Sequence, residues 1–388
     1  MVLSSAADRL SLLLAACYLA AALHGLGAAD IIGDDEAREA GIVQDVVAGH
    51  WLLPRFNDDL LPDKPILYHW LAAVPCALTG FSETAVRLPS ALAGAALVAW
   101  TARFGAALLG PAAGIVAGGL LATTPALFAF VRLARPDALL VLLLAAALGH
   151  AFRWWQDRQQ RDATVALILL GAATAAKGPV APALFACTLC CFLLWQRDLR
   201  RLRGLCTVPG VLAFLVFGLG WYVVALGGWG EHFVREHLIG RYLGNLAGGL
   251  VQGGRYSARS LGYHLGFYPR HLLAVALPWT PFVALALHRA WRSGGLRDPR
   301  LRFLLCWAAA PVVVFTPAEY KLRYYLLPSL PALALLTAPA VIALWREPAR
   351  RLGSRGLGAL AAGIGLAGGG AAWALTLLGS VLANPAAG

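Results

Sequence analysis

The stretch SLLLAACYLAAALHGLGAADIIGDDEAREAGIVQDVVAGHW, residues 11–51, indicates the class of protein. Its first part is an apolar run long enough to cross a bilayer, and residues 33–51 then bring together seven ionisable side chains. The same contrast runs through the whole chain of 388 residues, of which 59% are hydrophobic and only 13% charged. This composition is typical of a membrane protein that crosses the bilayer several times.

The long Ala, Leu and Val runs favour membrane-spanning helices, because backbone groups without water must bond within a helix or a closed barrel. We therefore predict an all-α polytopic protein with about eleven transmembrane helices, at residues 10–29, 87–102, 111–131, 138–152, 163–176, 179–195, 208–228, 271–288, 302–316, 324–344 and 358–382. Residues 67–81 are too short and too interrupted for a span, and their Tyr and Trp predict a helix at the membrane interface.

Charge placement supports this topology. With the N-terminus inside, the arginine-rich segments at 153–161, 197–203, 289–302 and 346–355 all become inner loops, so the net charge of +12 falls on the inner face. The basic balance therefore reflects membrane orientation, and it gives no support to a nucleic-acid partner.

The outer face receives two long loops, residues 30–84 and 229–270, within a single membrane domain at 1–388. Two shorter outer turns, 131–137 and 317–325, also carry charge. A charged side chain at the bilayer centre costs about 2.5–3.5 kcal/mol, so these charges face water or line a polar cavity.

The first loop carries a family likeness. DDEAREAGIVQDVVAGHWLLPRFNDDLLPDKPILYHWL (34–71), followed by AVRLPSAL (85–92), resembles the external loop of the polyprenyl-phosphate-sugar-dependent glycosyltransferases. That superfamily includes protein O-mannosyltransferases and lipid A aminoarabinose transferases. RLARPDALL, AKGPVAPAL, LPWTPF and YKLRYYLLPSLPALALL follow in the expected order, so the likeness covers about residues 10–345.

The resemblance implies a GT-C type helical bundle whose external loop carries interfacial helices. It also implies a bacterial inner-membrane enzyme with its active site facing the periplasm. Its donor would be a sugar on undecaprenyl phosphate, and the acceptor, a lipid, glycan or protein, stays open. The donor's leaving group is already activated, so direct displacement with inversion needs no covalent intermediate.

Such a donor requires basic groups that hold its phosphate. Lys64, just before the interfacial helix, is our first candidate, and its alternative role is that of a lysine extended to lipid headgroups. Further candidates are Lys321 and Arg323 at the mouth of the tenth predicted span, and Arg241 in the second long loop.

Carboxylates near the acceptor are the second requirement. Asp35 aligns with the Asp of the family's Asp-Glu-x-Arg helix, with Glu36 and Arg38 beside it, and Asp137 lies at the outer end of the fourth span. The alternative role of each acid is to stabilise a helix N-terminus. Tyr68 belongs to the family's Tyr-x-Trp motif.

The sequence supports a metal site less strongly than it supports the basic and acidic candidates above. The resemblance implies that Asp63 meets the region of His232, Glu236 and His237 around an ion, and we take Asp63 and His237 as its ligands. The histidine spacing alone gives no ligand set, and a polar surface helix is the alternative. No cofactor is therefore firmly predicted, and a divalent metal ion is left open.

A transporter or flippase of lipid-linked sugars is the competing class. Such proteins place paired charges near the bilayer midplane, often in two repeated halves, and the sequence shows neither feature. Lys177 comes closest, but it lies between two predicted spans.

Overall fold

The computed structural model describes residues 6–57, 62, 64–235, 239–240, 258–292, 294–318 and 320–346. These residues form helices and connecting loops: α1 (Ala6–Leu23), α2 (Asp34–Val47), α3 (Leu67–Thr79), α4 (Glu83–Leu109), α5 (Pro111–Ala122), α6 (Pro125–Val131), α7 (Asp137–Asp157), α8 (Gln160–Lys177), α9 (Val180–Trp195), α10 (Leu202–Leu205), α11 (Val208–Phe214), α12 (Gly220–Phe233), α13 (Ala258–Val275), α14 (Thr280–Arg292), α15 (Pro299–Phe315) and α16 (Leu330–Arg346). A π-helical turn joins α11 to α12, and the 3-10 segment Arg323–Ser329 leads into α16.

The central helix α4 begins and ends at clear signals. The Ser82 side chain accepts a hydrogen bond from the Ala85 backbone N–H, and Gly110 ends the helix with a φ of 99°. The following helix α5 lies in direct backbone contact with α4, because a Cβ at Gly114 would lie 2.2 Å from the Ala102 carbonyl oxygen. Small residues at a crossing let membrane helices approach this closely.

Helix α7 connects the two ends of the bundle. Its 21 residues give a length of about 30 Å, the thickness of a bilayer's hydrocarbon core. At its far end, Phe152 packs on Phe192 of α9 and Phe303 of α15, with ring centroids 5.9 and 4.6 Å away. The first residue of α7, Asp137, is therefore about 22 Å along the helix from Phe152 in this aromatic cluster.

Five segments of the described chain are long and apolar enough to cross a membrane: Ala6–Leu23, Glu83–Leu109, Asp137–Asp157, Val208–Phe233 and Arg323–Arg346. The predicted all-helical membrane fold is therefore confirmed. The count of eleven spans stays a prediction, and the span expected at 358–382 lies outside the described residues.

Two predicted spans are not single straight helices. Residues 111–131 form α5 and α6, which meet at 65° just before Pro125. The predicted span 271–288 is wrong as a continuous helix, because Gly262–Val275 and Thr280–Arg292 meet at 108°. Pro278 lies in this break, where a proline has no N–H to continue the helical bonding and its ring clashes with the preceding turn.

The first predicted outer loop folds into α2 and α3. Helix α3 buries Tyr68, Ala72 and Cys76 and exposes the apolar side chains of Leu71 and Leu78. An apolar exposed face is what a helix lying on a membrane surface requires. Its interfacial position and the loop bounds 30–84 and 229–270 stay predictions.

Candidate active site

Helix α2 divides its acids between two surroundings. Asp34 and Asp35 begin the helix and are exposed, whereas Glu36 and Glu39, three residues apart and therefore on one face, are buried. Buried carboxylates require charged or hydrogen-bonding partners, and each of these two has them.

Glu36 ties four segments of the chain together. Its carboxylate accepts hydrogen bonds from Arg87 Nε at 2.8 Å and from the Ala134 backbone N–H at 2.7 Å. The Arg87 guanidinium also donates to the carbonyl oxygens of Leu26 and Ala29. Glu36 therefore fixes α2 against α4 and against the turn that precedes α7.

That turn carries Arg135, which bridges two carboxylates. Arg135 Nη1 lies 2.9 Å from Asp35 Oδ2, and its Nε lies 3.4 Å from Asp137 Oδ2. The second Asp137 oxygen pairs with Lys177 at the end of α8. The ring of Tyr324 lies beneath the guanidinium, 4.5 Å from its central carbon. Burial lowers the pKa of Arg135, but Asp137, Tyr324 and Asp35 outweigh this and raise it.

Lys64 belongs to a second buried group. Its ammonium pairs with Glu39 Oε1, and the other oxygen of that carboxylate lies 2.7 Å from His69 Nε2. Burial raises the pKa of Glu39, but the charge of Lys64 and the His69 contact outweigh it and hold this pKa well below its usual value. Burial lowers the pKa of Lys64, but the Glu39 carboxylate outweighs it and keeps this pKa above the usual value.

Tyr68 is linked to the turn that carries Arg135 through hydrogen bonds. Its hydroxyl donates to the Val86 carbonyl oxygen at 3.0 Å and lies 3.2 Å from Ser90 Oγ. The Ser90 hydroxyl in turn donates to the Arg135 carbonyl oxygen at 2.8 Å. Tyr68 and Ser90 therefore help to fix the backbone that carries Arg135.

These groups meet at a cavity of about 460 Å³. The polar part of its wall contains two carboxylates, four basic side chains and three tyrosines: Asp35, Asp137, Lys64, Arg135, Lys177, Lys321, Tyr320, Tyr324 and Tyr325. Apolar side chains such as Leu140, Val141 and Phe315 form the rest. The lining therefore combines a net positive charge with apolar side chains.

Four of the predicted site residues line this cavity: Asp35, Asp137, Lys64 and Lys321. Lys321 Nζ donates to the carbonyl oxygens of Thr316 and Ala318, at 2.6 and 2.9 Å. Burial lowers its pKa. Residues far apart in sequence therefore converge as the topology predicted.

The other predicted residues do not line the cavity or lie outside the description. Glu36 and Tyr68 are buried and do not line it, and Arg38 and Arg323 are also absent from its lining. The remaining three, Arg241, Asp63 and His237, lie outside the described residues.

Three functional candidates were missed by sequence reasoning: Glu39, Arg135 and Lys177. Arg135 and Lys177 lie in motifs that suggested the family, RLARPDALL and AKGPVAPAL, and the predicted topology puts both at the outer end of the bundle. Motif and topology together could therefore have identified Arg135 and Lys177. Nothing in the sequence identifies Glu39, since a sequence does not show which buried lysine or histidine an acid contacts.

Within the described ranges, no three His, Cys, Asp or Glu side chains lie close enough together to hold a metal ion. A metal at Asp63 and His237 therefore stays a prediction, and no catalytic step below uses it.

Residues 63–221 match the family described as dolichyl-phosphate-mannose-protein mannosyltransferase. The chain is 27% identical to an undecaprenyl phosphate-alpha-4-amino-4-deoxy-L-arabinose arabinosyl transferase of Shewanella sediminis, over 84% of this chain and 59% of that protein. It is 30% identical to a protein of the same name from Edwardsiella ictaluri, over 85% of this chain and 59% of that protein. The chain thus spans about three fifths of these relatives.

Solved structures show the same fold. ArnT from Cupriavidus metallidurans in the apo state superposes with a TM-score of 0.72 at 25% identity, over 90% of this chain and 62% of that one. The same protein bound to undecaprenyl phosphate superposes with a TM-score of 0.75 at 23% identity, over 91% of this chain and 62% of that one. The predicted GT-C type bundle is therefore confirmed. In sequence and in fold, the chain is therefore similar to these arabinosyl transferases and to ArnT.

Proposed function

We propose that this chain is a membrane glycosyltransferase that moves a sugar from undecaprenyl phosphate, or a related polyprenyl phosphate, to a lipid, glycan or protein acceptor. The cavity carries the proposal, because two carboxylates lie among four basic side chains beside an apolar wall. The basic side chains suit the phosphate of a lipid-linked donor, the carboxylates suit the acceptor, and the apolar wall suits the lipid. The names of the relatives suggest 4-amino-4-deoxy-L-arabinose as the first sugar to test.

The basic side chains bind the donor phosphate in this proposal. Lys64 and Lys177 are each anchored by a buried carboxylate, so both ammonium groups are positioned before the donor arrives. Fixed cations in a site shielded from water stabilise the negative charge that grows on the leaving phosphate. The apolar wall accepts the first isoprene units of the donor.

The reaction is a single displacement. An acceptor oxygen or nitrogen forms a bond to the anomeric carbon as the carbon–oxygen bond to the phosphate breaks, and polyprenyl phosphate leaves with that electron pair. A hydroxyl or amine acceptor gives its proton to Asp35, whereas an ionised phosphate acceptor has no proton to give. Attack opposite the leaving group inverts the anomeric centre.

Asp35 suits the role of base better than Asp137. The Asp35 side chain is 50% exposed and is engaged by Arg135, so part of its carboxylate faces the cavity. Both oxygens of Asp137 are taken by cations, and only 3% of that side chain is exposed. Asp137 therefore positions Arg135 and Lys177, while Glu36 positions the turn that carries Arg135.

The cavity lies on the outer, periplasmic side of the bacterial inner membrane in this proposal. The arginines at 153–161 and 197–203 are at the opposite end of α7 from Asp137, and a bacterial cytoplasmic face collects such residues.

A deletion strain tests the proposal. Mass spectrometry of its membrane glycolipids and surface glycans should show the loss of one sugar modification, which the wild-type gene restores. Purified protein should release polyprenyl phosphate from its sugar-linked form only when acceptor is present. Unchanged glycans combined with altered solute uptake would favour the transporter instead.

A further inference from the structure

A second cavity, of about 370 Å³, lies at the other end of the bundle. It is bounded by the end of α7, the start of α8 and the segment between α9 and α10. Arg158, Arg200 and Arg201 line it, against a single acid, Asp198. Because Asp137 and Arg158 lie at opposite ends of α7, the cavity is about 30 Å from the proposed active site.

One of these arginines is structural. Arg201 Nη1 donates to the Trp155 carbonyl oxygen at 2.8 Å, and its guanidinium carbon lies 5.2 Å from the centre of the Trp155 ring. Arg201 also pairs with Asp198. It therefore caps the C-terminal end of α7, and the acid in the cavity is already neutralised.

The other two arginines remain for a ligand. The side chains of Arg158 and Arg200 are exposed and make no hydrogen bond or ion pair with any residue that the structure describes. Neighbouring basic residues differ: Arg153 lies 3.7 Å from Asp162, and Arg302 Nη1 donates to Gln196 Oε1 at 3.1 Å. The excess of arginine on an inner face explains why basic residues occur here, but not why two of them flank one cavity without partners.

The backbone conformation of Arg158 also indicates a role for its side chain. Its φ is 61°, in the left-handed region where glycine is favoured and other residues are uncommon. Its N–H closes α7 by donating to the Trp154 carbonyl oxygen, which glycine would do without strain. The side chain at this position therefore has a use beyond ending the helix.

Tryptophan side chains indicate at which level of the bilayer the cavity lies. Trp154 lines it, and Trp155 and Trp195 lie at the same end of the bundle. Trp side chains concentrate at the level of lipid headgroups. We infer that Arg158 and Arg200 bind the phosphate of an anionic phospholipid such as phosphatidylglycerol, in the inner leaflet, as basic pockets between membrane helices do. This inference does not depend on the proposed transfer reaction.

The experiment uses the full chain and a double variant, Arg158→Gly with Arg200→Gln. Glycine suits the backbone at 158, so this variant should unfold at a temperature equal to or above that of the wild type. Arg203→Gln is the matched control, because Arg203 is an exposed arginine of the same segment that does not line the cavity. Native mass spectrometry after reconstitution with phosphatidylglycerol and phosphatidylcholine measures the lipid retained.

The wild type and Arg203→Gln should retain phosphatidylglycerol over phosphatidylcholine, and the double variant should bind it at least tenfold more weakly. Glycerol phosphate and inorganic phosphate should not displace the lipid at millimolar concentration. Equal retention by the double variant, equal retention of the two lipids, or displacement by free phosphate would each overturn the inference.

Discussion

The pair between Lys64 and Glu39 allows the structural and chemical roles of a candidate phosphate-binding residue to be separated. The Glu39 side chain is 1% exposed, so Lys64→Met leaves a buried carboxylate with His69 as its remaining side-chain partner. Removing one member of a buried pair costs about 3–5 kcal/mol, and because His69 remains we expect about 3 kcal/mol of lost stability.

A double variant resolves the two roles. Lys64→Met with Glu39→Gln leaves a neutral side chain that can still hydrogen-bond to His69, so most of the stability should return, to within about 1 kcal/mol of wild type. Transfer should stay low, because the lost phosphate contact is worth about 1.5–3 kcal/mol, or roughly ten- to hundredfold in kcat/KM. Unfolding in detergent and initial transfer rates measure the two effects. Recovery of both stability and transfer would show that Lys64 has no role toward the donor.

The remaining predictions concern stability and topology. The lowered pKa of Glu39 makes its contribution disappear only below its ordinary 4.5, and the raised pKa of Lys64 makes its contribution disappear only above 10.5. The stability of the wild type relative to the double variant should therefore fall as the pH drops below about 4.5; a difference that does not change there, measured by unfolding, would contradict this. Arg87→Met should destabilise the protein by about 3–5 kcal/mol because Glu36 loses its buried partner, whereas Arg103→Met, whose partner Asp8 is partly exposed, should cost less than about 1 kcal/mol. In a background without native cysteines, a label at position 58 should react from outside the cell, and one at position 159 only after permeabilisation.

Much of the fold could be predicted because a bilayer imposes simple rules. Apolar length located the ends of α1, α4 and α7 to within seven residues, and the placement of arginine gave one self-consistent orientation. The break at Pro278 was not predicted, since a proline in an apolar run is tolerated in many membrane helices and only tertiary packing decides whether it bends the chain.

The site was predicted in part for a similar reason. Asp35, Asp137 and Lys64 lie in segments that topology and family motifs both place at the outer end. Partner choice was beyond the sequence, because it depends on which faces of α2, α4 and α8 meet. Glu36 shows the difference: it neighbours Asp35 in sequence, yet the helix turns it inward to Arg87, away from the cavity.

The central claim is that Asp35 acts in the transfer reaction, and two neighbouring isosteric variants test it most directly. Asp34 and Asp35 are consecutive exposed acids at the start of α2, but Asp35 lines the cavity and contacts Arg135, whereas Asp34 does not line it. We predict that purified Asp35→Asn binds the donor but loses transfer to a hydroxyl or amine acceptor. Asp34→Asn should transfer normally, since an acid at a helix start contributes only about 0.3–1 kcal/mol of stability. Near-normal transfer by folded Asp35→Asn, or greater damage from Asp34→Asn, would contradict the account.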